Sequence, residues 1–435
     1  MSNIIGIRRE DKSVWEKRVP LVPHDVEKLI RKHGVSFVVQ PALNRAYPDG
    51  EYASIGTKIN EDLSGSSIVV GVKEFPCDFI WQGGTYVFFS HTIKGQRPNI
   101  PMLKRLVEMG CTLIDYELVK DADGRRLIFF GHYAGRAGMI DTLWALGRRL
   151  DFLGFKTPFL RIKQAYKYLS MGRAKDALRE LAHELNKGKL PQELRPMIFG
   201  IAGYGNVSKG AQVILDILEP TEVDPLELDR ISPHTNANGI YKVVFKEEHI
   251  VVPRDPESLF ELQDYYRSPQ KYRSVFERYT PHLTVLMNCN YWDEKYPRLL
   301  TKDSVHRLFS GNVNNKLQII GDISCDIEGG IECTTHCTQP DNPVYVYDVD
   351  TDSVMPGWEG NGPCILAVDN LPAEFPWESS MYFSGVLKNY IPALSRADFD
   401  SSFEALRLPN EIKNAIILYK GKFTPDFKYM ESYLG

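Results

Sequence analysis

The chain has 435 residues, 43% hydrophobic and 25% charged. That is a globular composition, with length for two to three domains at about 150 residues each. Its 52 basic and 56 acidic residues leave a net charge of -4, without the excess of base that a nucleic-acid backbone calls for. No stretch nears the roughly 18 apolar residues of a membrane span, and the N-terminus lacks a signal-peptide pattern. Seven cysteines without framework spacing read as reduced thiols of a cytoplasmic protein.

In chain order, Ile4 to Arg8 reads as a first strand, and Val22-Pro23-His24-Asp25 opens a helix with Val26, Leu29 and Ile30 at helical spacing. Val35–Val39, Ser67–Val72, Tyr86–Phe89 and Thr112–Asp115 read as strands, with a helix over Met102–Met109. Long helices follow over Ala134–Leu153 and Ile162–Leu185. Then come the strand Met197–Ala202, a helix over Gln212–Leu218, and strands over Lys242–Phe245, Leu283–Met287, Leu317–Ile320 and Cys364–Val368. Residues 222–280 read as irregular. The alternation of strand and helix predicts an α/β class with mainly parallel sheets.

Between the strand at 197–202 and the helix after it stands Gly203-Tyr204-Gly205-Asn206-Val207-Ser208-Lys209-Gly210. This is G-x-G-x-x-S, with Ser208 at the third glycine position. The first glycine permits the tight turn, and the second lets backbone approach a pyrophosphate resting on the helix N-terminus. A P-loop is absent, which disfavours ATP hydrolysis. Asp224 stands about 19 residues beyond Gly205, near where an acid would accept from a ribose 2′-OH and select NAD. It is equally one more acid in an acidic loop.

Four constellations are more specific. They are Gly6-Ile7-Arg8-Arg9-Glu10, Glu16-Lys17-Arg18-Val19-Pro20-Leu21-Val22-Pro23, Gly71-Val72-Lys73-Glu74 and Phe88-Phe89-Ser90-His91-Thr92-Ile93-Lys94. With the glycine turn beyond position 200, this layout resembles the alanine dehydrogenase/lysine-forming saccharopine dehydrogenase superfamily. Within it, the chain is most similar to lysine-ketoglutarate reductases, the N-terminal half of bifunctional aminoadipic semialdehyde synthases. Gly203–Gln212, Phe88–Lys94, Ile323–Glu332 and Asp369–Ala373 carry that closer likeness, which runs from Ile5 to Tyr433. The resemblance implies a free-standing reductase, or that half alone. It also implies two Rossmann-like domains with a cleft between them: a discontinuous substrate domain, 1–136 plus 376–435, and a dinucleotide-binding domain, 137–375.

The implied reaction condenses L-lysine with 2-oxoglutarate and reduces the imine with a nicotinamide cofactor to saccharopine, reversibly. Such chemistry needs a proton acceptor for the amine and a donor for the departing hydroxyl. Imidazole titrates near neutrality untuned; a lysine does so once buried or beside a cation. By resemblance, Lys73 and His91 are that pair, Glu74 and Glu117 modulate it, Arg18 binds a substrate carboxylate, and Glu16 lies near the substrate amine. A guanidinium suits a carboxylate because its fork donates bidentately. Arg9 and Arg125 or Arg126 are further candidates for the substrates' other carboxylates.

The cofactor would rest on Gly203, Gly205, Asn206, Val207, Ser208 and Asp224, with Lys94, Asp326, Asp369 and Asn370 orienting it. The resemblance favours NADP(H), with NAD(H) as the alternative. An alanine or other amino-acid dehydrogenase on the same scaffold is the second reading, and a non-catalytic nucleotide-binding protein the third. A homo-oligomer is compatible with all three. Cys325, Cys333, His336 and Cys337 lack zinc-knuckle spacing. Asp348-Val349-Asp350-Thr351-Asp352 lacks the glycine of a calcium loop, so no metal is expected and a solvated loop is.

Overall fold

The computed structural model describes residues 3–231, 239–311 and 315–435. Its first strands are β1 (Ile4–Ile7), β2 (Ser36–Val39), β3 (Lys58–Ile59), β4 (Ile68–Val70), β5 (Thr85–Phe88) and β6 (Thr112–Asp115). Next come β7 (Met197–Ala202), β8 (Thr221–Glu222), β9 (Ile240–Phe245), β10 (Val251–Pro253), β11 (Tyr272–Ser274), β12 (Val285–Asn288) and β13 (Ile319–Asp322). The last are β14 (Val344–Asp348), β15 (Ser353–Pro356), β16 (Cys364–Leu366), β17 (Ile416–Tyr419) and β18 (Lys422–Phe423). The chain divides into two compact units, residues 1–130 with 376–435, and residues 131–375.

The first unit holds an eight-stranded sheet ordered β18-β17-β6-β5-β4-β1-β2-β3. From β6 to β3 all neighbours are parallel. β17 and β18 add an antiparallel edge. β4, β5 and β6 are buried throughout, as continuous apolar strands covered on both faces are. The returning C-terminal segment completes this unit. In the helix Pro376–Leu387, Ser380 Oγ accepts from Val19 N at 2.9 Å and Ser384 Oγ from Val22 N at 3.0 Å.

The second unit holds a sheet ordered β15-β14-β16-β13-β12-β7-β9-β8. It is parallel from β16 to β8, with an antiparallel hairpin of β14 and β15 at one edge. Both sheets are therefore parallel-rich and mixed. The order departs from a simple winding at two points: β9, and not the earlier β8, lies beside β7, and β16, not the earlier β14, lies beside β13. The acidic stretch read as a solvated loop is the β14–β15 turn. Asp348 Oδ1 there accepts from Asp350 N, Thr351 N and Thr351 Oγ1 at 2.8–3.2 Å. Within 222–280, read as irregular apart from the strand at Lys242–Phe245, β10 and β11 form a separate two-stranded antiparallel sheet.

The helix Gly131–Phe152 packs on the helix Asn206–Leu215 at backbone contact. A Cβ on Gly135 would lie 1.9 Å from Val207 O, and one on Gly210 2.2 Å from His132 O. Two glycines, one from each helix, make that approach. Downstream, the periodicity over Ile162–Leu185 predicts a single helix, whereas the α-helix is Met171–Asn186 with Ser170 as its cap. The preceding residues are held as a turn: Asp141 Oδ1 accepts from Ala165 N at 2.7 Å and Glu374 Oε2 from Tyr166 N at 3.0 Å.

Asp141 and Glu374 are both buried and hydrogen-bonded to each other. Burial pushes Asp141 up to about 7 and Glu374 well above the carboxylate range, so the pair shares a proton. Raised carboxyl groups give the folded state a proton the unfolded chain lacks. Their contribution is complete below about pH 4 and is lost as pH rises through 7. Glu374→Gln places an amide donor where that proton sits. At pH 8.5 it is expected to melt ~5 °C above the native protein, about 1–2 kcal/mol, with no gain at pH 4; calorimetry at both pH values checks this. No helix among the described residues is long and apolar enough to cross a membrane.

Candidate active site

In the first unit the order β6-β5-β4-β1-β2-β3 reverses direction between β4 and β1, and open α/β sheets bind ligands beyond the strand ends at such a point. The turn after β1 carries Arg8, Arg9 and Glu10. Those after β4, β5 and β6 carry Lys73 and Glu74, Ser90 and His91, and Asp115 to Glu117. Three of the four motifs thus emerge, together with the end of β6, along one sheet edge.

His91 Nδ1 stands 2.6 Å from Glu74 Oε1, and Lys12 Nζ donates to Glu74 Oε2 at 2.7 Å. Burial works to raise the Glu74 carboxyl, but the hydrogen bonds and charges of His91 and Lys12 outweigh it and lower it to about 2. Glu74 is therefore an anion at neutral pH and fixes the orientation of the His91 ring. Asn99 Nδ2 donates to Glu74 Oε1 at 3.2 Å and to His91 O at 3.1 Å.

The His91 backbone has φ 47, a left-handed conformation costly for a residue with a Cβ and often found at functional sites. Buried Asp115 holds the turn in that shape. It accepts from Ser90 N at 3.1 Å and from Ser90 Oγ on one oxygen, and from Glu117 N at 2.8 Å on the other. Burial raises the Asp115 carboxyl. Sequence reasoning missed Asp115, because an acid ending an apolar strand carries no motif. It also missed Glu10, whose carboxylate accepts from Val72 N and Lys73 N.

Arg18 and Glu16 form a bidentate pair, Nε–Oε1 2.8 Å and Nη2–Oε2 2.6 Å, with side chains 2% and 1% exposed. The Arg18 guanidinium stacks 4.2 Å from the Phe130 ring centroid. Of the other cations, Arg126 lies 3.5 Å from Glu117, whereas Arg125 is paired with Asp121 and Asp123 and Arg9 with Glu61. Arg126 thus shares the β6 end with Glu117. Lys94 is exposed, three residues beyond His91.

In the second unit the same kind of reversal falls at β7. Gly203 has φ 100, and a Cβ there would meet Asn290 Oδ1 at 2.6 Å. Gly205 opens the helix Asn206–Leu215, and nothing lies within 4 Å of where its Cβ would be. Asn206 is exposed, Val207 half-buried and Ser208 fully buried, its hydroxyl accepting from Gln212 Nε2 at 2.9 Å. A ten-residue helix presenting its N-terminus beside an open glycine fits a dinucleotide pyrophosphate.

Beside this turn is a cavity of about 310 Å³ lined by Glu247, Tyr265, Tyr266, Asn290, Tyr291 and Trp292, among others. Aromatic walls with a few polar groups fit an adenosine. Gly203 N donates to Phe245 O at 2.9 Å, so the end of β9 abuts the turn. The first residues beyond it are exposed Lys246 and half-buried Glu247, whose carboxylate accepts from Tyr266 Oη at 2.7 Å. Asp224 follows β8, which β9 separates from β7, and its Oδ1 accepts from Leu226 N at 2.8 Å.

Beyond β13, Asp326 stands half-buried in the turn leading to Gly329 and Gly330. Beyond β16 come exposed Asp369 and half-buried Asn370. Between those ends, Cys325 Sγ donates to Ala367 O at 2.9 Å and lies 3.4 Å from Cys337 Sγ. Among the described residues no three His, Cys, Asp or Glu side chains converge as a metal shell. Asp322, ending β13, is buried. Burial raises it to about 6 against donation from Thr334 Oγ1 and Asn288 Nδ2.

Comparison with known proteins adds to this geometry. The family models for the N-terminal and C-terminal domains of alanine dehydrogenase/PNT match residues 6–137 and 284–426. The alpha-aminoadipic semialdehyde synthase of Arabidopsis thaliana is 35% identical over 448 residues, 99% of this chain and 41% of that protein. The mitochondrial enzyme of that name from Rattus norvegicus is 34% identical, over 98% of this chain and 47% of its own. The chain thus spans less than half the length of these two relatives. A saccharopine dehydrogenase [NAD(+), L-lysine-forming] of Emericella nidulans is 26% identical over 89% of this chain and 90% of its own. Among solved structures, an L-alanine dehydrogenase aligns over 99% of this chain and 100% of its own with TM-score 0.64 at 16% identity, a likeness of fold.

Proposed function

Because the chain belongs to the alanine dehydrogenase/PNT family, we propose that it condenses L-lysine with 2-oxoglutarate and reduces the resulting imine to saccharopine. The observation that carries this is the sheet-edge assembly of Lys73, Glu74-bound His91, the Arg18–Glu16 pair and Glu117. A nicotinamide cofactor, when bound, supplies the hydride. Lys73 takes the proton that the lysine ε-amine sheds as it attacks the ketone. His91, held by Glu74, gives a proton to the departing hydroxyl. Arg126 and the Arg18–Glu16 pair offer the charge of both signs that dicarboxylate and amine require.

NADP(H) is the favoured cofactor. Asp224, the acid that would disfavour a 2′-phosphate, follows β8, which β9 separates from β7, and exposed Lys246 begins the segment beyond β9. The small-molecule substrates imply neither nucleic acid nor membrane as partner. The cytoplasm is the favoured compartment, supported by seven free cysteines.

Absorbance of NADPH and NADH, with 2-oxoglutarate and with lysine, ornithine, ammonia or no amine, tests the reading. Oxidation requiring both lysine and 2-oxoglutarate, at lower NADPH than NADH, is expected. Turnover of ammonia with pyruvate instead would make the chain an amino-acid dehydrogenase. Glu74→Gln removes the carboxylate that orients the His91 ring. It is expected to lower kcat ~10–100-fold, with the KM for NADPH within about twofold. A native kcat would remove Glu74 from that role.

A further inference from the structure

We propose that Glu10 is a positioning residue for Lys73: it holds the turn after β4 by its backbone, so that the Lys73 side chain leaves from a fixed point. This rests on the reading of Lys73 as the proton acceptor. Glu10 comes from the turn after β1 and crosses the reversal point to β4. There its Oε1 accepts from Val72 N at 2.6 Å and its Oε2 from Lys73 N at 3.0 Å. Both oxygens of one carboxylate are committed to two successive amides, one of them that of Lys73. Neighbouring Glu74 is fixed separately through His91, Lys12 and Asn99. The two residues are thus held by different devices, Lys73 by its main chain and Glu74 by its side chain.

Only the ionised carboxylate accepts at both oxygens. A protonated acid, or a glutamine, turns one acceptor into a donor facing an N–H. Burial, then Glu16, raise Glu10 to about 7, against the two amides and Arg8. The charged and titratable groups around it are Glu16 and Arg8, Arg45, Tyr116 and Lys73 itself. Near neutral pH the hold on Lys73 therefore depends on the charge of Glu10, which couples the geometry of one residue to the protonation of another.

Hydrogen exchange at the Val72 and Lys73 amides, with kcat and KM against pH, tests this on the full chain. In the native protein, protection of those two amides, corrected for intrinsic rates, should fall about tenfold from pH 8 to pH 6. In Glu10→Gln it should be low at both. Its kcat should be about 100-fold lower, with the KM for NADPH within about twofold and the acid limb near pH 7 gone. Native protection that is flat with pH would overturn the proposal, and that measurement needs no variant to fold. So would a Glu10→Gln enzyme with native kcat and pH profile while Lys73→Met is inactive, an outcome that leaves the functional reading intact. A Lys73→Met enzyme as active as the native one would sink both.

Discussion

Lys73→Met is expected to lower kcat for saccharopine formation by about 10²–10⁴, the range of a lost general acid–base group. Methionine keeps the length and apolar stem of lysine and removes only the amine. Lys73 stands at the end of β4 in the first unit, and the glycine turn at the end of β7 in the second. Binding of NADPH, followed by its fluorescence, is therefore expected to change less than about twofold. Loss in kcat without loss in cofactor binding is the signature of an interaction made in the transition state. Native turnover in this variant would take proton transfer away from Lys73. Weakened cofactor binding with unchanged kcat would make the residue a cofactor contact.

Arg18→Ala is expected to be the most destabilising single change near the site. It leaves Glu16, 1% exposed, as a buried carboxylate stripped of two hydrogen bonds and of its counter-charge. Breaking a buried pair in this way costs about 3–5 kcal/mol. For a unit of this size that is ~10 °C in melting temperature. The stacking of Arg18 on Phe130 is lost as well, worth ~0.5–2 kcal/mol. The double variant Glu16→Gln/Arg18→Met removes both charges and is expected to recover most of that stability. Activity should stay absent in both. Recovery of turnover with recovery of stability would make the pair a structural element and remove Arg18 from substrate binding.

Much of this site was legible because its residues travel in short clusters. A strand end places its next two or three residues at the sheet edge, so Gly71–Glu74 and Phe88–Lys94 carried their own positions. Asp224 shows what spacing leaves open. Spacing counts residues along the chain, and the excursion through β8 puts β9, not β8, beside β7. Glu10 was visible as a letter in a motif but not as a contact, because its partners are amides and leave no side-chain pattern. The third glycine position had a similar fate. Ser208 fills it, while the close approach that glycine serves is made at Gly210 against His132. Ile162–Ser170 had helical periodicity, yet the buried Asp141 and Glu374 draw two of its amides into a turn. β17 and β18 lay in the short apolar run at the C-terminal end, which only its pairing with β6 identifies.

The interrupted first unit also has a consequence for how the chain is made. Its first 130 residues reach the end of β6 with the strand's outer edge unpaired, since β17 comes only after residue 375. From 131 to 375 is 245 residues (375 − 130), or ~12–50 s of synthesis at about 5–20 residues per second. The inserted unit has all its strands by then and can finish first, reversing the usual order in which the earlier part of a nascent chain matures first. Meanwhile Ile114 and Leu113, which later register with Ile416 and Leu418, present a bare apolar strand edge of the kind that pairs with neighbouring chains. Pulse-labelled ribosome-bound chains should therefore show protease resistance in 131–375 before any appears in 1–130. The yield of soluble protein should depend on chaperones that cover that edge until residues 376–435 arrive.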